Sequence, residues 1–267
     1  DWIAGGNIFT KLAQDATASG SQSTNTTLTV AHTCTGNDRV LIVCVTARDS
    51  STTTPSGVTY GGTAMTKIGS DIQGIYGASI WYLVAPATGA NNIVATFAAT
   101  MDRLTLNSVS FTGADQGTPV RTAATNKSGS GDAPSAAATS LANDIVVDCV
   151  ATYIDAALTP HASQTALANL NNTPLRHGSS KETASGSSTT MSWSMSVAQP
   201  YVLVAVAVKS RVAVGADIMA HKTHLLALGV LGDSQSIKRS TDGATFTDPT
   251  TDVTQHLLTD IVTAHED

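Results

Sequence analysis

Residues 37–46, NDRVLIVCVT, are echoed further along the chain by residues 143–151, NDIVVDCVA. Each copy opens with the turn-forming pair Asn-Asp, runs into branched apolar residues, after Arg39 in the first copy, and places a Cys before another Val. Short apolar runs bounded by turn residues read as central strands, and two alike imply two related halves. The chain is therefore expected to be all-β: a β-sandwich of jelly-roll or immunoglobulin-like type with an internal pseudo-repeat.

Composition supports that reading. The chain holds 40 Thr but only two Glu, Glu182 and Glu266. Thr is β-branched and suits half-buried strands, whereas Glu, Lys and Arg are the usual fillers of helix surfaces. At 267 residues the chain is long enough to bury a sizeable core as one large all-β domain or two smaller ones.

The order of elements follows from alternation and turn signals. Residues 1–24 form an N-terminal arm, polar after a short apolar segment. Residues 25–31 alternate Thr with Leu28 and Val30, as a strand with one wet face does. Residues 58–60 and 63–66 flank Gly61-Gly62, a pair that supplies the positive φ of a tight hairpin turn. Residues 79–84, SIWYLV, belong in the core. Residues 93–97 and 103–111 are expected as separate alternating strands. Residues 118–140, with NKSGSGDAPSAAA at their centre, read as a linker or a surface loop. In residues 201–208, Val202, Val204, Val206 and Val208 make one strand face entirely valine, a face for a sheet interior. The halves are thus residues 25–117 and 136–210, forming one sandwich or two small ones. Residues 211–267 form a C-terminal extension.

Chemistry-bearing motifs are sparse. Formal charge is −6, and the 14 basic residues are scattered without the stripe a phosphate backbone demands, so no nucleic-acid partner is expected. No apolar run reaches the ~18–20 residues of a membrane-spanning helix, so no membrane insertion is expected. Cys34, Cys44 and Cys149 fit no zinc spacing and read as small buried hydrophobes, with a Cys44–Cys149 disulfide open as an alternative. His221, His224 and the run His265-Glu266-Asp267 sit in no metal-binding frame. No catalytic constellation, cofactor or metal is assigned. Trp81 and Trp193 are candidate glycan-stacking rings, although core anchoring is their commoner use.

Residues 58–66 (VTYGGTAMT), 80–84 (IWYLV) and 109–116 (VSFTGADQ), taken in that order, resemble a recurring β-sandwich of bacteriophage structural proteins and bacterial surface proteins. The likeness spans residues 25–210. Ser240, Asp242, Gly243 and Phe246 resemble the Asp-box turn of sialidase-like β-propellers, structural in that family and present once here. The resemblance implies a non-enzymatic display protein, a capsid decoration or tail-fibre subunit on a virion surface or otherwise extracellular, associating with other subunits and with itself as a homo-oligomer. Two rivals stand beside it: a secreted glycan-binding module or fragment of a glycoside-processing enzyme, and a bacterial surface adhesin.

Overall fold

The computed structural model describes residues 11–50, 53–153, 157–211, 225–231 and 234–240, the last two spans as backbone pairing alone. The chain divides into two compact units, Asp1–Arg211 and Val212–Asp267. Every regular element described is an antiparallel strand. Those of the first half are β1 (Ala13–Cys34), β2 (Val40–Arg48), β3 (Gly57–Tyr60), β4 (Thr63–Ala64), β5 (Thr66–Gln73), β6 (Tyr76–Val84) and β7 (Gly89–Thr112). The second half contributes β8 (Ala124–Gly131), β9 (Ser135–Thr139), β10 (Ile145–Tyr153), β11 (Leu158–Pro160), β12 (Thr165–Asn172), β13 (Leu175–Thr183), β14 (Ser188–Met195) and β15 (Gln199–Val208). In the second unit β16 (Leu225–Leu231) pairs with β17 (Ser234–Ser240).

The pseudo-repeat is visible in the strand pairings. β1 and β7 form one long ladder with register shifts between Gln14 and Thr17 and between Asn25 and Thr27, and Thr24 takes a φ of 50° beside the second shift. The ladder therefore serves two layers. Residues 13–25 of β1 and 101–112 of β7 continue through β2 and β6 to β5, while residues 27–34 and 89–96 continue into β3 and β4. The result is a curled, nearly closed, barrel-like sheet. The second half repeats both orders with separate strands: β8-β15-β10-β13-β12, and β9-β14-β11.

Three apolar cores follow from side-chain alternation along the central strands. Leu41, Val43 and Val45 of β2 face Leu28, Val30, Val58 and Ile93 inside the first half. Val146 and Val150 of β10 face Ala138, Met191 and Trp193 inside the second. The opposite faces meet each other: Val40, Ile42 and Cys44 of β2 pack with Val147 and Cys149 of β10 and with all four valines of β15. Each buried side chain of this size contributes roughly 1.5–3 kcal/mol, so the four valines outweigh any single hydrogen bond across the seam. Residues 11–211 consequently share one continuous interior.

Several expectations need correction. The segment read as an N-terminal arm is strand from Ala13 onward, because its outward Ser and Thr side chains need no core to pair a backbone. The two strands expected at 93–97 and 103–111 are one, β7. The region read as linker or loop contains β8 and β9, strands of Ser, Gly and Ala that carry almost no apolar alternation. The Gly61-Gly62 hairpin is as expected, with φ of 54° and 83°.

Cys34, Cys44 and Cys149 are all free and buried. Cys44 and Cys149 face each other across the seam, where Cys44 Sγ donates to the Asp148 carbonyl (3.6 Å) and Cys149 Sγ to the Val45 carbonyl (4.0 Å). The contact is reciprocal, as two related strands meeting face to face require. A shared interior makes cooperative unfolding the expected behaviour of residues 11–211. Ile42→Ala should cost about 3 kcal/mol in urea denaturation. Hydrogen exchange should rise in β10 and β15 peptides together with β2 peptides, and loss of protection confined to the first half would contradict a common core.

Candidate functional site

Among the depressions on the surface of the described residues, two open ones are lined mainly by polar side chains or glycines. One, of about 510 Å³, lies on the outer strands of the first half against Thr59, Gly61, Gly62, Asn91 and Asn92. The other, of about 350 Å³, lies on the second half and is lined by His161, Glu182 and six hydroxyl side chains, Ser163 and Ser192 among them. The second connects to the most unusual polar group of the interior.

Its wall is built by the turn between β11 and β12. Gln164 N donates to His161 O (2.9 Å), and His161 N donates to Ser192 O (3.0 Å), which pins the turn to β14. Ser163 Oγ donates to Glu182 Oε2 on β13 (2.8 Å) and lies 2.8 Å from His161 Nδ1. In a Ser-His-Asp triad the imidazole stands between hydroxyl and carboxylate. Here the hydroxyl stands in the middle, so the carboxylate does not orient the imidazole as a base. The arrangement suits hydrogen bonding to a polar ligand.

Beneath it lies Gln164, 8% exposed. Its Oε1 accepts from Ser192 N (2.8 Å), and its Nε2 donates to Ser180 Oγ (2.6 Å) and reaches Asp148 Oδ2 (3.5 Å). Asp148 is fully buried and accepts from Ser180 N (2.7 Å), Ser180 Oγ (2.8 Å) and Trp193 Nε1 (2.6 Å). Burial pushes its carboxyl up to about 7, against the downward pull of the Trp193 and Ser180 bonds.

Two other buried polar groups tie strands together. His177 of β13, with Nδ1 3.2 Å from Thr46 Oγ1 of β2, joins the halves through the hydrogen-bonded pair Thr46 and Thr105. Its Nε2 has no hydrogen-bond partner among the described residues, and burial drives the ring down to about 3. His32 of β1 lies between Ser108 Oγ (2.9 Å from Nδ1) and Ser110 Oγ (3.0 Å from Nε2), and Ser110 donates onward to Asp15 Oδ2 (2.8 Å). Burial lowers His32 and the Asp15 charge partly restores it.

The candidate glycan-stacking rings are not surface platforms. Trp81 is 6% exposed, bonds Ser79 Oγ through Nε1 (3.1 Å) and carries Lys67 Nζ 5.7 Å from its ring centroid. Trp193 is 3% exposed and held by Asp148. Both rings are spent in cores, as scarce aromatics usually are. Asp242, Gly243 and Phe246 of the Asp-box-like turn lie outside the described residues, as do His221, His224 and residues 265–267; Ser240 ends β17. Among the described residues no group of three or more His, Cys, Asp or Glu could hold a metal ion, and no helix is long and apolar enough to cross a membrane.

Sequence reasoning passed over Asp148, His161, Gln164 and Glu182 as a group. One signal was present: an Asp inside the apolar run IVVDCV, where a central strand has no wet face for it. No family model matches the chain, and neither a curated protein nor a solved structure matches it.

The buried acid and buried base set opposite pH dependences. An Asp ionising at 3.8 unfolded and about 7 folded costs stability as pH rises between those values, by at most about 4 kcal/mol. A His titrating at 6.5 unfolded and about 3 folded gives stability that is full above 6.5 and lost as pH falls toward 3, by at most about 5 kcal/mol. The slopes oppose each other between about pH 4 and 6.5. Asp148→Asn should make stability fall more steeply with acid over that interval, and His177→Gln should make it fall less steeply, measured by urea midpoints at successive pH values.

Proposed function

We propose that this chain is a non-enzymatic structural protein of a virion surface or other extracellular surface, of the decoration or fibre type, built as a β-sandwich of jelly-roll or immunoglobulin-like form and acting by protein–protein association. One observation carries the reading. Of the side chains able to do chemistry, Asp148, His32, His177, Cys44 and Cys149 are buried and connect strand to strand, and the exposed His161 and Ser163 with Glu182 stand in no catalytic order. What the strands turn outward in β1, β8 and β12 is mainly Ser, Thr, Asn, Gly and Ala. Such a molecule works through the shape of its surface.

The hydroxyl-lined depression around His161 and Glu182 favours the glycan-binding reading as second. Its open form and ring of hydroxyls, with one carboxylate and one imidazole, suit sugar hydroxyls better than a charged ligand. Glu182→Gln would then weaken neutral oligosaccharide binding about tenfold in calorimetric titration.

The deciding experiment is density-gradient fractionation of a culture that produces the protein, with its peptides followed by mass spectrometry. Co-migration with assembled particles at fixed ratio to a major coat protein is the expected result. Recovery solely in the free soluble fraction would overturn the virion role.

A further inference from the structure

The outer layer of the first half carries no charge. Residues 16–37, 53–66 and 85–101 contain no Asp, Glu, Lys or Arg, although 13% of the whole chain is charged. At that frequency these 53 residues should hold about seven such side chains, so the gap is not a matter of sampling a few positions. Together they supply residues 27–34 of β1, 89–96 of β7, and the β3–β4 hairpin, which are neighbours in one sheet. Alternate residues point inward, where Leu28, Val30, Val58 and Ile93 form the first-half core. The residues between them point outward. Thr29, Ala31, Thr33, Asn92 and Thr96 are exposed, and the depression beside Gly61 and Gly62 opens on the same face.

A sheet that faces water for good is normally studded with Lys or Glu, which keep other sheets away. This one lacks them, and among the described residues β1 pairs with β7 alone, leaving a second edge beside the neutral face. We propose that this neutral face is a self-association surface whose occupant is a second copy of the same chain. The proposal deepens the association role argued above and rests on it.

Charge selects the occupant. With a net charge of −6, two copies repel through most orientations. A two-fold contact sets a patch against itself, so any charge near its axis meets its own kind, and a charge-free patch escapes that penalty. The size fits a weak contact. The two eight-residue stretches of β1 and β7, with β3 of four residues and β4 of two, about 4.8 Å apart at about 3.4 Å per residue, present roughly 350 Å². Two copies would bury about 700 Å², below the range of a lasting pairwise interface and suited only to a transient contact repeated many times in an assembly. The face lacks an aromatic ring among its outward residues, so a neutral polysaccharide has nothing to stack upon there.

Sedimentation velocity of the full chain over a range of concentrations tests this. The expected result is reversible association that does not weaken from low to high salt, because no charged pair holds the contact and salt screens the repulsion between two copies. The double variant Thr29→Lys with Thr96→Lys, both exposed positions, should raise the dissociation constant at least tenfold. Thr165→Lys with Thr183→Lys, exposed on the second half, should leave it unchanged. Circular dichroism and urea midpoints equal to wild type keep misfolding apart from loss of contact. A chain that is monomeric at every concentration, or whose association survives the Thr29/Thr96 change, overturns the proposal. Particle co-migration retained by that double variant would overturn the assigned face while leaving the virion role standing.

Discussion

The contact between β2 and β10 governs this molecule. Each strand is central in its own sheet, and each is apolar on both sides, so each needs two covers rather than one. The half to which it belongs supplies the first cover, through the outer strands β3 and β7 or β9 and β14. Nothing in that half supplies the second. Setting the bare face of one central sheet against that of the other solves both problems at once, and this is why the two halves form one interior. Cys44 and Cys149 mark the centre of that contact, each thiol resting on the other strand's backbone. Small residues there allow the sheets to approach, and burial together with the nearby Cys44 holds the Cys149 thiol far above its ordinary range.

The polar groups of the interior take their places from this arrangement. Thr46, Thr105, Asn107, His177 and Ser179 lie where the apolar seam gives out, and they pair across it, Ser179 Oγ donating to Asn107 Oδ1 at 2.9 Å. Asp148 has a different origin. It lies on the face of β10 turned away from the seam, toward the outer strands of its own half, and there the indole of Trp193 meets it. A buried acid and a buried histidine on opposite faces of one sheet give the fold two proton-linked terms of opposite sign.

Much of this architecture was legible in the residues. The paired NDxV segments located the central strands, the alternating valines of β15 marked a buried sheet face, and Gly61-Gly62 located its hairpin. What was not legible has a common cause. β8, β9 and the first dozen residues of β1 are strands by backbone pairing alone, with side chains too small and polar to show a period. The continuity of β7 was hidden by residues 98–102, which break the alternation and span the register shift where residues 97–100 leave the β1 ladder while the strand itself runs on. At the site, Asp148 announced itself by standing inside an apolar run, whereas its partners Ser180, Gln164 and Trp193 come from three other elements and could be found only by folding the chain. Trp81 and Trp193 are easily read as binding rings, and burial assigns them otherwise.

The first half has continuous β1 and β7 where the second half has the broken pairs β8/β9 and β14/β15, and the difference is mechanical. A tension applied along β1 acts in shear on two ladder segments, residues 17–25 and 27–34, carried by one unbroken strand, so the hydrogen bonds of each segment resist together. The same tension on the second half meets two shorter ladders joined by turns, which can yield one after the other. The repeat therefore produces a stiff spar and a compliant one from a single topology, bonded along their length by the valine seam.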